Sequence, residues 1–316
     1  MTRRALRGAP RLLFGLLLAG CAGEEMAPYG RLTSLRVLAI QSDPVSPLPG
    51  ETTTLTPLLY VPEGQGEPEL EWSWCPFPGS ASDGYPCELE SVADLAELAE
   101  LGVPVELPPL ELGVGPTASF THSLDPLLLA ALCAGLVEDL PGFGCPEGFP
   151  VQVRVRVRTE EDELFAVRTL YLGLDPTRAP NAVPEVGGLE VKVGREWVTV
   201  TDDAPGEVLR DEENELRALV AEDQAESYEL VGLDGEVTSA RERLTLSWFV
   251  ESGNTRAERT GYIEGVAPIE VLNANRWTPA REDDYPEGSS ELILVLRDDR
   301  EGVGWWRHTF DLVEAP

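Results

Sequence analysis

The chain has 316 residues, with 24 Lys+Arg against 56 Asp+Glu and a formal net charge of −32. A field of that sign repels phosphate backbones and anionic surfaces, which excludes nucleic-acid binding and leaves a solvated, self-repelling exterior as the first reading. The length suffices for two domains, each with a core of its own.

Residues 1–20 have the three parts of a secretory signal: Arg3, Arg4, Arg7 and Arg11 without an acid, the apolar run Leu12–Leu18, then small residues. The run is about half the length of a spanning helix, and no later stretch approaches one. The junction Leu18-Ala19-Gly20-Cys21 resembles the lipobox of bacterial lipoproteins. That resemblance implies a diacylglycerol on the Cys21 thiol, cleavage before Cys21, and attachment of the mature chain to the membrane by lipid. Ala22 in place of Asp favours the outer membrane, on its periplasmic face or at the cell surface. Residues 21–33 read as a short polar tether. Four further cysteines, Cys75, Cys87, Cys133 and Cys145, fit disulfides in an exported chain. Three pairings are open; Cys75–Cys87 and Cys133–Cys145 close short local loops and are favoured over the others. The spacings are too wide for a zinc knuckle.

The pattern predicts a first β-sandwich over 34–174. Strands are expected at Leu35–Ile40, Thr52–Tyr60 and Glu69–Trp74, where Leu70, Trp72 and Trp74 alternate with polar residues. The tryptophans read as core. An insert over about 76–148 is expected to be helical and stapled by the disulfides. It holds a capping box at Ser91–Asp94 leading into a helix with Val92, Leu95 and Leu98 on one side. A second helix follows, from Asp125-Pro126 to about Leu140, apolar nearly all round and therefore largely buried. Val151, Val153, Val155 and Val157 alternate with Arg154, Arg156 and Arg158 in a hairpin that returns through Leu164–Leu172. The arginine row reads as a solvent face paired with nearby acids.

Residues 175–184, with three prolines, read as a stiff linker, and 185–316 as a second sandwich. Its strands are expected at Leu189–Val193, Trp197–Thr201, Leu216–Val220 and Leu244–Val250, with an edge or corner at Asn275–Pro279. A closing hairpin runs from Leu292–Leu296 to Trp306–Leu312. A Trp-bearing strand followed later by a terminal hairpin occurs in both halves and forms a weak internal repeat. Val37–Tyr60 with Trp72-Ser73-Trp74-Cys75, and Leu246-Ser247-Trp248-Phe249 with Val295-Leu296-Arg297-Asp298, resemble the immunoglobulin-like repeats of bacterial surface proteins. The whole chain resembles uncharacterised lipoproteins of GC-rich Gram-negative bacteria such as myxobacteria. The resemblance implies a mainly β fold of two tandem immunoglobulin-like β-sandwiches and transfers no catalytic residue.

Chemistry-bearing motifs are sparse. The two histidines, His122 and His308, lack metal-ligand spacing, and no Gly-x-Ser-x-Gly elbow is present. Lys192, the single lysine, has no phosphate-binding loop around it. The weak candidates are a calcium site on Asp298, Asp299 and Glu301, with Asp283 and Asp284 as further carboxylates for it, and an exposed Trp305 for a sugar or protein contact. No catalytic residue and no cofactor are assigned. The expected role is a non-catalytic, lipid-anchored envelope module that is structural, adhesive or binds a protein partner, with carbohydrate binding through exposed Trp as the alternative. A hydrolase built on His122 or His308 comes third.

Overall fold

A computed structural model describes residues 28–76, 85, 87, 109–133, 145, 147–176, 179–201, 206–231 and 236–315. The signal segment, Cys21, the expected helix around Val92–Leu98 and the continuation of the second helix beyond Cys133 lie outside the described residues.

The described chain is mainly β. Strands β1 (Arg36–Asp43), β2 (Thr52–Tyr60), β3 (Glu69–Cys75), β4 (Glu111–Val114) and β5 (Ala118–Thr121) come first. Helix α1 (Pro126–Cys133) precedes the long hairpin β6 (Phe149–Arg158) and β7 (Glu163–Leu172). Next come β8 (Leu189–Val193), β9 (Glu196–Thr199), β10 (Glu207–Leu209) and β11 (Asn214–Ala218). A side hairpin, β12 (Ser227–Val231) and β13 (Val237–Arg241), leads to β14 (Leu244–Val250), β15 (Asn254–Thr255) and β16 (Arg259–Tyr262). Helix α2 (Ile269–Asn273), β17 (Ala274–Thr278), β18 (Ser289–Arg297) and β19 (Val303–Val313) complete it.

The sheets pair face to face. In the first half, β1-β2-β5 packs on β4-β3-β6-β7, with Leu55 and Phe120 of one sheet and Trp72, Trp74 and the four valines of β6 from the other in a single core. In the second half, β15-β17-β11-β8-β9 packs on β10-β19-β18-β14-β16 through a core centred on Trp248, Trp277 and Phe310. Each strand of the first half has a counterpart in the second, which adds β9, β10, β15 and the side hairpin. The order β4-β3-β6-β7 is matched by β16-β14-β18-β19, and β1-β2-β5 by β8-β11-β17. Sheets of this order, with the Trp strand beside the terminal hairpin, have the immunoglobulin-like arrangement. The indoles find acceptors as buried Trp must. Trp72 Nε1 donates to the Gly115 carbonyl (2.9 Å), Trp74 to that of Pro109 (2.8 Å), and Trp277 to that of Ser252 (2.7 Å).

Both favoured disulfides are present, Cys75–Cys87 and Cys133–Cys145. Asp125 caps α1, its Oδ1 accepting from the Leu127 amide at 2.7 Å.

Several expectations need correction. The region read as a helical insert contains β4 and β5, one in each sheet of the first pair. Helix α1 buries one side only: Leu129 is in the core while Leu127 is 82% exposed. Asn275–Pro279 is no edge, since β17 lies between β15 and β11 and its Trp277 is fully buried.

The described part of the tether does not hang free. The Leu32 amide donates to the Val250 carbonyl (2.8 Å), and the Val250 amide to that of Gly30 (2.9 Å), so the entering chain pairs with β14. Gly30 is required there because a Cβ would strike the Trp248 carbonyl. The segment before β8 also packs. Asn181 is buried and its Nδ2 donates to the Arg300 carbonyl (3.0 Å).

A third core joins the halves. Leu32, Leu38, Leu58 and Tyr60 meet Phe249, Ile293, Val295 and Val303. The β1-β2 sheet thus has apolar residues on both faces, and so does the β14-β18-β19 sheet. A bulge between Val37 and Ala39 lets β1 serve both cores, with Leu35 and Ile40 in the first and Leu38 in the joint.

Candidate functional site

The β18–β19 turn holds Asp298, Asp299 and Glu301, the three acids singled out as a calcium candidate, and it is the hub of the joint. Asp298 Oδ1 accepts from the amides of Arg300 (2.8 Å) and Gly302 (2.7 Å), and its Oδ2 from Asn181 (3.3 Å). Asp299 pairs with Arg243 at 2.8 Å. Arg300 is buried and pairs with Glu242 (3.2 Å) and Glu147 (3.3 Å), with its guanidinium 4.8 Å from the Tyr228 ring centroid. The Glu301 carbonyl accepts from Arg168, which also donates to the Ile40 carbonyl and to Ser42.

The carboxylates of Asp298 and Asp299 are therefore spent on amides and on Arg243, only the backbone carbonyl of Glu301 is engaged, and among the described residues no three metal-ligating side chains converge. Asp283 and Asp284 sit on an exposed turn before β18, roughly 30 Å along that strand from Asp298. The left-handed residue of the hairpin is Glu301 (φ 74°) and not Gly302. Gly302 is needed because a Cβ would collide with the Asp298 carboxylate. A cleft of about 260 Å³ between the halves is lined by β1, by Ala166–Arg168 and by this turn.

Glu242 is the electrostatic oddity of the hub. Burial pushes its carboxyl up to about 7, opposed by the Glu226 amide and by Arg300. The folded form therefore holds a proton between pH 4.5 and 7 that the unfolded chain has released. Stability is expected to fall as pH rises through that window, by up to about 3 kcal/mol, and to be flat above it. Burial raises Asp298 and Glu301 in the same direction. Denaturant unfolding of wild type and Glu242→Gln at steps from pH 4.5 to 7.5 checks this. The substitution should flatten most of the slope.

Trp305 is not a free platform. It packs against the core that joins the halves, while Trp306, on the opposite face, packs against the second core and stacks on His308 at 5.6 Å. His308 is held between Trp306 and Phe310, with Nε2 buried and unpartnered. His122 is fully buried and neither ring nitrogen has a hydrogen-bond partner. Burial lowers its pKa, and the Gly173 backbone, which opposes this, approaches too loosely to satisfy either nitrogen. Among the described residues, no hydroxyl or carboxylate is a hydrogen-bond partner of either His122 ring nitrogen or of His308 Nε2.

The site that sequence reasoning missed is the outer face of β4-β3-β6-β7. Side chains form two rows across it. One row runs Val114, Glu71, Arg156, Phe165, and the other Glu111, Ser73, Arg154, Val167. Phe165 and Val114 are each 68% exposed at the two ends of the first row. Between them Arg156 pairs with Glu71 (3.4 Å) and Glu163 (2.6 Å), its guanidinium 5.5 Å from the Phe165 ring centroid. Arg158 pairs with Glu69 and Glu163, so Arg156 and Arg158 meet acids as expected, while Arg154 donates to Gln152. Tyr85 lies beside this face, its carbonyl accepting from Arg154, two residues from the bridge that ties Cys87 to the end of β3. Together these residues line a hollow of about 550 Å³, within the range of ligand sites. The available signal was Phe165, an aromatic that follows Glu163 and precedes Val167 on the face of β7 that pairs with the arginines of β6.

A scan against protein-family models finds no match, and a search of curated proteins finds none either. Among solved structures, red sea bream transglutaminase aligns over 90% of this chain at 12% identity with a TM-score of 0.22, and this chain spans 32% of its length. Chimeric titin Z1Z2 carrying an exogenous peptide from decorin aligns over 90% of this chain and 100% of its own at 12% identity and a TM-score of 0.21. A Bacteroides ovatus protein of a mixed-linkage glucan utilization locus, solved with a mixed-linkage heptasaccharide, aligns over 90% of this chain and 71% of its own at 9% identity and a TM-score of 0.18. At such scores the description of the fold rests on the strand order itself.

Proposed function

We propose that this chain is a non-catalytic binding module of the bacterial cell envelope. It is built of two tandem immunoglobulin-like sandwiches, anchored to the outer membrane by lipid on Cys21, and presents the outer face of its first four-stranded sheet to a protein partner. The observation that carries the reading is the hollow on that face. Exposed Phe165, Val114 and Tyr85 surround ion-paired arginines on a rigid, disulfide-bounded sheet. Exposed aromatic side chains beside arginines are the residue types enriched at protein-binding surfaces and at their energetic anchors. The disulfides suit an oxidising compartment, and among the described residues no helix is long and apolar enough to cross a membrane. The lipobox supplies the anchor.

Carbohydrate is the second reading, favoured by one detail: an exposed ring, Phe165, on the same face as the Glu111 carboxylate and the Ser73 hydroxyl.

The test is recovery of a partner from solubilised envelopes by wild type and by Phe165→Asp, with a glycan array run on the same two proteins. Phe165→Asp is surface-exposed and should leave the melting temperature within a few degrees while reducing partner recovery at least about tenfold, the worth of one interface anchor. A partner retained equally by both proteins would move the site elsewhere. An array signal lost in the variant would replace the protein reading by the glycan one. Cys21→Ser, followed by envelope fractionation, should release the chain in soluble form.

A further inference from the structure

We infer that the face around Tyr29 lies against the anionic phospholipid surface to which the chain is tethered; the inference rests on the lipid-anchor reading of Cys21. Tyr29 is 38% exposed and is held between two guanidiniums, Arg36 at 5.2 Å and Arg259 at 4.4 Å from its ring centroid. The ring also packs on Phe249 at 5.3 Å, which fixes it to the joint between the halves. Arg31 is next but one to Tyr29, and Arg36 donates to the backbone carbonyls of both. Arg297 faces the same group, since Tyr29 and Arg259 are among the charges that act on it.

None of Arg31, Arg36, Arg259 and Arg297 has a carboxylate within 4.0 Å among the described residues, whereas most other described cations do. In a chain of net charge −32, a cluster of unpaired arginines around a half-exposed tyrosine is the exception that needs an anion. Glu258 is beside it but is taken up by the Gly30 amide at 3.1 Å.

The position of the cluster identifies the anion. Pro28, adjacent to Tyr29, is seven residues from Cys21, and a fully extended chain of that length reaches about 23 Å. A lipid on Cys21 therefore holds Tyr29 within one short tether of the headgroups. The rest of the acidic surface is repelled by an anionic leaflet, while arginines near such a surface are attracted, so the tethered molecule turns this face inward. Tyrosine suits the headgroup level, with an apolar ring and a polar tip.

The experiment is arginine footprinting with phenylglyoxal, read by mass spectrometry, on the full lipidated chain. It is done in vesicles containing phosphatidylglycerol, in phosphatidylcholine vesicles and in detergent. Modification of Arg36 and Arg259 should be about fivefold slower on phosphatidylglycerol than in detergent, the effect expected of roughly 1 kcal/mol per arginine. Arg307, exposed on β19, should be unchanged, and high salt should restore the detergent rate. Arg259→Glu, an exposed position, should fold normally and abolish the protection of Arg36. Equal labelling in all three settings, with the lipid visible on the Cys21 peptide, would overturn the orientation and leave the anchor standing. A Cys21 peptide without lipid would overturn the anchor, and this inference with it.

Discussion

Arg300→Met is expected to cost about 3–5 kcal/mol, the usual result of removing one partner from a buried ion pair. Arg300 is 7% exposed and its partner Glu242 1%. The guanidinium reaches Glu242 from one nitrogen and Glu147 from another, while the backbone of the same residue donates to Asp298 and accepts from Asn181. Met preserves most of the volume and removes the charge, so the loss reports the stranded carboxylate and not a cavity. Glu242 would then hold its proton to still higher pH, and the stability deficit should widen as pH rises past 7, where keeping Glu242 neutral becomes harder. Adding Glu242→Gln should recover a substantial part of the loss, because the stranded charge disappears. Urea unfolding of the two single variants and the double, at pH 5.5 and 8, measures the coupling directly. A double variant no better than Arg300→Met alone would mean that the side-chain contacts to Glu147 and Tyr228 carry the effect.

The sequence showed most of the fold where alternation was clean and long. The β3 run of Leu70, Trp72 and Trp74, and the valine-arginine alternation of β6, each commit one face inward, and the structure buries those faces. The strands β4 and β5 were not legible because each spans four residues among glycines and proline, too short for a period of two to stand out. The joint between the halves left a trace that alternation alone could not use. Leu292-Ile293-Leu294-Val295-Leu296 has no polar residue, the mark of a strand buried on both faces. What that second face meets is set by tertiary packing and is not encoded locally.

The same holds for the candidate site. Asp298, Asp299 and Glu301 read as exposed turn acids because Asn181, Arg243 and Arg168, which engage them or their backbone, lie between 56 and 133 residues away in sequence. Trp305 read as exposed because its alternation partner Trp306 faces the second core. Its own neighbours come from the joint. Disulfide pairing was legible, since both bridges close short loops of equal separation.

Phe249→Ala is the second large expected effect, about 3–5 kcal/mol for a fully buried Phe, and its form differs from that of a core truncation. Phe249 is 0% exposed, yet it points away from the second core, into the cluster formed with Leu32, Leu38, Leu58 and Tyr60. Truncating it leaves Trp248 and Val250 in place on the other face of β14. The second half should therefore keep its own packing while the coupling between halves is lost. Wild type is expected to unfold calorimetrically in one transition, because three cores share strands. Phe249→Ala should unfold in two, the earlier one belonging to whichever half relied more on the joint. Trp248→Ala, at the adjacent position, should instead lower a single transition. The contrast tests whether β14 serves two cores at once, which is the condition for the entering chain, the Tyr29 cluster and the hollow around Phe165 to keep fixed positions relative to one another. A rigid joint of this kind makes a tether that enters at the joint set the direction in which the binding face of the first half points. With the joint loosened, Phe249→Ala should lose partner binding in the membrane-anchored form more than in the Cys21→Ser form, which has no orientation to lose.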